Sequence, residues 1–162
     1  MSISFSSGEL LAIAIDIERN GIAFYDVMAK SAENEEVRCL FQSLVDMEHR
    51  HIETFQAMLL EAGGYGAERA YEGEEAAYLK SLVESNIFSD DAITGEMVTR
   101  LDSDIEALEL AVNLEKDSIL FYYQLKDIAQ PKEQKLLDGI IAEEKSHLRD
   151  LSAVRRELAS GQ

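Results

Sequence analysis

Apolar residues recur along four long stretches of the chain with the spacing of an amphipathic α-helix. The stretches cover about residues 8–32, 35–62, 103–129 and 131–160. In each of them, apolar side chains return every three or four residues and again after seven, which places them on one face of a helix. The pattern therefore predicts an all-α fold with four long helices.

Residues typical of helix ends mark the boundaries of these stretches. Ser6 precedes Glu9 by three residues and Ser103 precedes Glu106 by three, so each pair is expected to form a capping box. Pro131 suits the first turn of the fourth helix.

A long connection separates the second helix from the third. The glycine pair at 63–64 is expected to end the second helix. Apolar spacing then predicts one short helix at about 74–88, and residues 89–91 are interpreted as a loop or a further helix start.

The two halves of the chain resemble each other. Residues 17–25 (IERNGIAFY) parallel 114–122 (LEKDSILFY), and the Glu-x-x-His pattern at 48–51 recurs at 144–147, with offsets of 97 and 96 residues. This is an internal repeat of two helical hairpins. The long connection must then run the length of a four-helix bundle, so that the hairpins pack with a near two-fold relation. We expect a single domain over residues 1–162.

Each long helix carries one glutamate in the middle of its apolar stripe. These residues are Glu18, Glu48, Glu115 and Glu144, and each has apolar residues four and seven positions away along the stripe. A buried carboxylate without a partner costs several kcal/mol, and four of them would also repel one another. The core must therefore hold protons or cations between them.

The spacing of the chain also places these glutamates at one height in the bundle. The two glutamates of each hairpin are equidistant from its turn, at roughly 22 Å along each helix. His51 and His147 follow their glutamates by three residues and share the same helix faces. Four carboxylates and two imidazoles that converge in this way suit a pair of first-row metal ions bridged by carboxylates. A relic site that no longer binds metal is the alternative.

This pattern resembles the ferritin-like superfamily of di-iron carboxylate proteins. The repeated hairpins, the short helix in the connection and the tyrosines seven residues after Glu18 and Glu115 most resemble rubrerythrin-like proteins. The resemblance covers nearly the whole chain. It implies a ferritin-like di-iron domain that binds two iron ions, with Zn or Mn as substitutes, and that reacts with hydrogen peroxide or dioxygen. The implied metal ligands are Glu18, Glu48, His51, Glu115, Glu144 and His147.

The chain departs from rubrerythrins proper in two respects. Those proteins carry a rubredoxin domain with a Cys₄ iron site, whereas this chain has one cysteine, so its electron donor is expected to be an external, rubredoxin-like molecule. They also carry an additional glutamate where this chain has Ser118, mirrored by Gly21 in the first helix. We therefore expect a symmetric ligand set, in which each metal has one histidine and one terminal glutamate and the two metals share Glu48 and Glu144.

Four other residues allow more than one interpretation. Tyr25 and Tyr122 either pack in the core or act on the centre, by hydrogen-bonding a metal ligand or peroxide or by donating an electron. His49 is expected to be solvated or paired at the surface, and Cys39 is expected to be a small core residue rather than a redox thiol.

The net charge restricts the partners. The chain has 32 acidic and 15 basic residues, a formal charge of −17, which repels nucleic acid and anionic membrane surfaces. No basic start or long apolar run indicates a signal peptide or a membrane span, so the cytoplasm is expected. A homodimer, with or without exchange of hairpins, is the expected assembly.

Three functions remain open at this point. The first is a di-iron oxidoreductase of oxidative-stress defence that reduces peroxide or dioxygen. The second is a ferroxidase that handles iron, which needs the same ligands. The third is a structural bundle in which metal only holds the helices together.

Overall fold

The structure is a computed structural model that describes residues 4–63, 71–85 and 101–161. Five helices lie in these ranges: α1 (Ser7–Ser31), α2 (Glu35–Glu61), α3 (Glu74–Ser85), α4 (Asp104–Ile128) and α5 (Pro131–Ser160). Two short strands, β1 (Ser4–Phe5) and β2 (Tyr71–Glu72), pair antiparallel.

The four long helices form two hairpins, α1 with α2 and α4 with α5. The hairpins contact each other through α2 and α5 and through α1 and α4. This confirms the predicted all-α four-helix bundle of two repeated hairpins, and each long helix begins and ends within one residue of its predicted bounds.

The helix caps follow the sequence signals with one exception. At α1, Ser6 Oγ accepts the N–H of Glu9 (3.1 Å) and the Glu9 carboxylate accepts the N–H of Ser6 (2.7 Å), as predicted. At α4, Ser103 Oγ accepts the N–H of Glu106 (3.2 Å), but Glu106 accepts the N–H of Asp102 (2.8 Å) instead of that of Ser103. The prediction of a full box there was wrong. Ser103 is more extended than Ser6 (φ −158° against −83°), which brings the preceding N–H within reach of Glu106.

The connection contains a short helix, as predicted. Helix α3 begins at Glu74 and ends at Ser85, and it packs on α4 with Ala76 and Leu79 buried. Gly63 follows α2 with φ +89°, a conformation that favours glycine. Gly64, residues 86–88 at the end of the expected short helix and the expected loop at 89–91 lie outside the described residues. The pairing of β1 with β2 was not predicted, because two-residue strands carry no periodic signal.

Two apolar clusters fill the bundle, one on each side of its middle. One includes Leu10, Phe55, Phe121 and Leu137, and the other includes Phe24, Phe41, Leu108 and Leu151. Along α1, the first cluster extends to Ile17 and the second begins at Phe24. Glu18 therefore lies where one apolar layer gives way to the other, and the core isolates this level of the bundle from water.

Two predictions about single residues on α2 have different outcomes. His49 is exposed, as expected. Cys39 is also exposed, so its predicted place in the core was wrong. It lies two residues from both Val37 and Phe41, which are buried, and two residues correspond to about 200° around a helix. Cys39 consequently faces away from the core.

None of the described helices combines the length and apolar character needed to cross a membrane.

The start of α4 is bound to the turn between α1 and α2. The Asp104 carboxylate accepts the backbone N–H groups of Glu33 (3.2 Å) and Asn34 (2.8 Å). One side chain of the second hairpin therefore stabilises the turn of the first.

Replacing Asp104 with alanine should lower the free energy of unfolding by about 1–2 kcal/mol, because two N–H groups lose a charged acceptor. Chemical denaturation of the metal-free protein measures the change. Asp102→Ala is the matched control, since it removes an exposed carboxylate close to the same helix start. Equal losses in both variants would show that charge at the helix start, and not the contact between hairpins, stabilises this end.

Candidate metal centre

The six predicted ligand residues are buried together in the middle of the bundle. Their exposed fractions are between 1% and 3%. Helix α1 supplies Glu18, α2 supplies Glu48 and His51, α4 supplies Glu115, and α5 supplies Glu144 and His147. Their places in the apolar stripes therefore bring the six residues to one height in the bundle, as the matched spacing of the two hairpins predicts.

The six residues form two groups that overlap. In the first group, ligand atoms of Glu18, Glu48, His51 and Glu144 lie within 4.8 Å of one another. The second group, with the same spacing, combines Glu48, Glu115, Glu144 and His147. Each group could hold a metal ion, and Glu48 and Glu144 belong to both. This grouping is the one that the repeat predicts.

The Nδ1 atom of each histidine faces the carboxylates. His51 Nδ1 lies 2.8 Å from Glu48, 3.0 Å from Glu144 and 3.5 Å from Glu18. For the other histidine, the distances from His147 Nδ1 are 3.4 Å to Glu48, 3.3 Å to Glu144 and 3.6 Å to Glu115. The two rings are nearly parallel, with centroids 5.8 Å apart. Each histidine thus presents one nitrogen to its own group.

Several of these atoms have no hydrogen-bond partner although they are buried. They are Oε2 of Glu48, Oε1 of Glu144 and Nδ1 of both His51 and His147. Buried polar atoms are nearly always satisfied, so convergent unsatisfied atoms require a common partner. Because carboxylate oxygens and imidazole nitrogens are ligands of first-row metals, the residues present fit a pair of such ions.

Two tyrosines connect the hairpins at the centre. Tyr25 donates its hydroxyl hydrogen to Glu115 Oε1, and Tyr122 donates to Glu18 Oε1. Both hydroxyl groups belong to buried side chains whose rings contact Phe41 and Phe55. Each tyrosine therefore packs in the core and also orients the terminal glutamate of the opposite hairpin, so the two interpretations of these residues are compatible.

Sequence reasoning missed one residue of the site. Glu143 Oε2 lies 3.0 Å from His51 Nε2, the nitrogen that faces away from the other carboxylates. The Glu143 side chain is 49% exposed, so it is the solvent-side neighbour of a buried ring. The available signal was its place directly before the second Glu-x-x-His pattern, where the first half of the chain has Met47.

The terminal glutamates favour their protonated forms in the metal-free protein. Burial raises the pKa of Glu18 well above its usual value, and the charges of Glu48 and Glu144 add to the effect. Burial and the neighbouring Glu144 likewise raise the pKa of Glu115. The pKa values of Tyr25 and Tyr122 are raised by burial and by the adjacent carboxylates, so both remain neutral hydroxyl donors.

The histidines and Glu144 favour their charged forms. Burial alone would lower the histidine pKa values, but the carboxylates close to each ring outweigh it, raising the pKa of His147 to about 12 and shifting that of His51 upward as well. Burial would raise the pKa of Glu144, but the neighbouring Glu115, His147 and His51 lower it. Glu144 therefore differs from Glu18 and Glu115 in the direction of its pKa shift, because two positively charged imidazole rings lie beside its carboxylate.

Metal binding should release protons from the two histidines and from Glu18 and Glu115, since the pKa of each of these groups is raised and ligands bind metal in deprotonated form. Calorimetric titration with Zn²⁺ at pH 7, in buffers with different ionisation enthalpies, counts them. Release of fewer than about one proton per ion would contradict this charge balance.

The same protons make the metal-free protein less stable as the pH rises. A group whose pKa is raised in the folded state contributes its full stabilisation at pH values below its ordinary pKa, which is 6.5 for a histidine such as His147. As the pH rises from 6.5 towards the folded pKa of about 12, this stabilisation is lost. Denaturation between pH 6 and 9 should show this decline in the metal-free protein and a much smaller one with Zn²⁺ bound. Parallel curves would contradict it.

The protein is a helical bundle with a buried carboxylate–imidazole centre. The centre consists of two overlapping groups, each of three glutamates and one histidine. The chain belongs to the rubrerythrin family, whose family model matches residues 9–155.

Solved structures agree with this assignment. A protein from Thermotoga maritima described as a ferritin-like diiron-carboxylate protein is 30% identical, with a TM-score of 0.75 over 94% of this chain and 96% of that one. The ferritin-like fold is thereby confirmed. CopM in its Cu(II)-bound form (12% identity, TM-score 0.68, 95% and 98% covered) shares the fold alone. So does a DUF305 fragment from Deinococcus radiodurans (14%, TM-score 0.64, 93% and 95% covered). No curated protein matches the chain in sequence.

Family and geometry together point to the kind of centre. The rubrerythrin family and the buried groups of carboxylates and histidines suggest a di-iron protein.

Proposed function

We propose that the chain is a non-haem di-iron oxidoreductase that reduces hydrogen peroxide, and more slowly dioxygen, with electrons from an external donor. The observation that carries the proposal is the pair of overlapping ligand groups, which share Glu48 and Glu144. Two sites that share bridging carboxylates hold their ions close enough to act on one small oxidant.

The ligands divide between the two ions according to the repeat. Glu18 and His51 would hold one ion, Glu115 and His147 the other, and Glu48 and Glu144 would bridge them. Iron bound there would polarise the oxidant and supply two electrons. Zn or Mn could substitute in the same donor set.

The protein's own residues prepare the site for this chemistry. The apolar clusters on both sides exclude water from the ligand level. Tyr25 and Tyr122 hold the terminal glutamates through neutral hydroxyl groups. Both hydroxyls therefore lie beside the centre, and each would give its single hydrogen either to its glutamate or to a bound oxidant, but not to both at once.

The partners in this proposal follow from composition. One cysteine cannot build a rubredoxin-type site within the chain, so a rubredoxin-like protein would be the donor. With a net charge of −17, the protein would bind neither nucleic acid nor an anionic membrane surface. A cytoplasmic homodimer, with or without exchanged hairpins, completes the proposal.

A ferroxidase that handles iron is the second candidate. Glu143 favours it, since a half-exposed carboxylate beside His51 offers Fe²⁺ a ligand between solvent and the buried groups. Both candidates predict two ions in each chain, but only the ferroxidase must release its iron after oxidation.

Rapid mixing of the anaerobically reduced, iron-loaded protein with each oxidant should separate these functions. We expect faster oxidation by hydrogen peroxide than by dioxygen, and repeated turnover only when reduced rubredoxin is supplied. Glu48→Ala should lower the oxidation rate more than about 100-fold. Loss of a residue that only hydrogen-bonds a metal ligand typically costs about 10- to 100-fold, and Glu48 would be a ligand of both ions. Glu53→Ala, which removes an exposed glutamate of the same helix, is the control.

Each result has a defined meaning. Consumption of dioxygen in proportion to added Fe²⁺, with ferric iron leaving the protein, would favour the ferroxidase. Two bound ions and reaction with neither oxidant would leave a structural role for the metal. A folded protein that binds no iron would overturn all these proposals.

A further inference from the structure

The two histidines of the centre differ on the side that faces away from the carboxylates. His51 Nε2 lies 3.0 Å from the Glu143 carboxylate. His147 Nε2 is buried and has no hydrogen-bond partner in the part of the chain that the structure describes. The two ligand groups are therefore alike in residue types and unlike in what supports their imidazoles.

The repeat explains this difference. Glu143 directly precedes Glu144, and the residue that directly precedes Glu48 is Met47. With an offset of 96 residues, Met47 occupies the position in the first hairpin that Glu143 occupies in the second. A thioether is at best a weak acceptor, so the first hairpin offers His147 no equivalent of the carboxylate.

A carboxylate at Nε2 affects the ligand chemistry at Nδ1. A neutral imidazole carries one hydrogen, and a hydrogen bond to Glu143 retains it on Nε2. The Nδ1 lone pair of His51 is then free for a metal, the ring is fixed in orientation, and the nearby negative charge makes Nδ1 a stronger donor. His147 must adopt the same tautomer without such a partner.

We propose that Glu143 is a positioning residue that makes the two metal positions unequal, so that the position at His51 fills first and binds metal more tightly than the position at His147. The inference rests on the two-metal centre of the proposed function. Outer carboxylate partners of this kind typically change metal affinity 10- to 100-fold, and a difference of that size separates the two binding steps.

Substoichiometric loading tests the order directly. The metal-free protein would receive one equivalent of Co²⁺, a probe for Fe²⁺ that does not react with dioxygen in the same way, and would then be crystallised. Anomalous diffraction at the cobalt edge gives the occupancy of each position separately. We expect the position beside His51 to hold most of the cobalt, and calorimetry in solution to resolve two steps that differ by about 10- to 100-fold.

Variants at both equivalent positions test the cause. Glu143→Ala should equalise the two occupancies, and Glu143→Gln, which keeps a neutral acceptor, should give an intermediate ratio. Met47→Glu should raise the occupancy at His147 towards that at His51. Asp150→Asn is the control for charge, because it removes an exposed carboxylate seven residues further along the same face of α5.

The outcomes distinguish this inference from the proposed function. Equal occupancies in the unchanged protein, or an unequal ratio that Glu143→Ala leaves unchanged, would overturn the role of Glu143 while the two-metal centre stands. A loss of affinity that is equal at both positions in Glu143→Ala would indicate a general structural effect and would also overturn it. Failure to bind any Co²⁺ would overturn the centre and the inference together.

Discussion

Four glutamates in the core of one bundle are the constraint on which the rest of the structure depends. Each is at least 97% buried, and such carboxylates are tolerated only with charge-balancing partners. The histidines supply part of that balance in the metal-free protein, and metal ions would supply it in the loaded one. In each hairpin the two glutamates are equally far from the turn, which brings the charges to one level. The two apolar layers exclude water from that level, and the tyrosine hydroxyls hold two of the glutamates in place.

Sequence alone could predict the long helices and the meeting of the six ligand residues, because both follow from helical periodicity and from the repeat. It could not predict that Glu106 bonds to Asp102, or that β1 pairs with β2, since these contacts depend on local backbone geometry and on distant segments. The place of Cys39 depends on its angle of about 200° from Val37 and Phe41 around the helix, which residue type alone does not indicate. Glu143 was missed because its half-exposed side chain lies off the apolar stripe that marks the other six positions.

The contacts across the centre make the two hairpins depend on each other. Tyr25 of the first hairpin holds Glu115 of the second, and Tyr122 of the second holds Glu18 of the first. Each ligand group likewise takes three residues from one hairpin and one from the other. Removal of either hairpin would therefore leave both groups incomplete, and the packing, the hydrogen bonds and the ligand geometry should be gained or lost together.

The pairing of Met47 with Glu143 across the repeat has a consequence for how such a chain can evolve. Two identical hairpins that associate as a dimer would be bound by symmetry, since any substitution appears on both sides of the centre at once. Joining the two copies in one chain removes that restriction, because each half then mutates independently. Glutamate at 143 and methionine at 47 are a difference that two identical hairpins could not carry. Two hairpins within one chain thus allow the two ligand groups to be specialised separately.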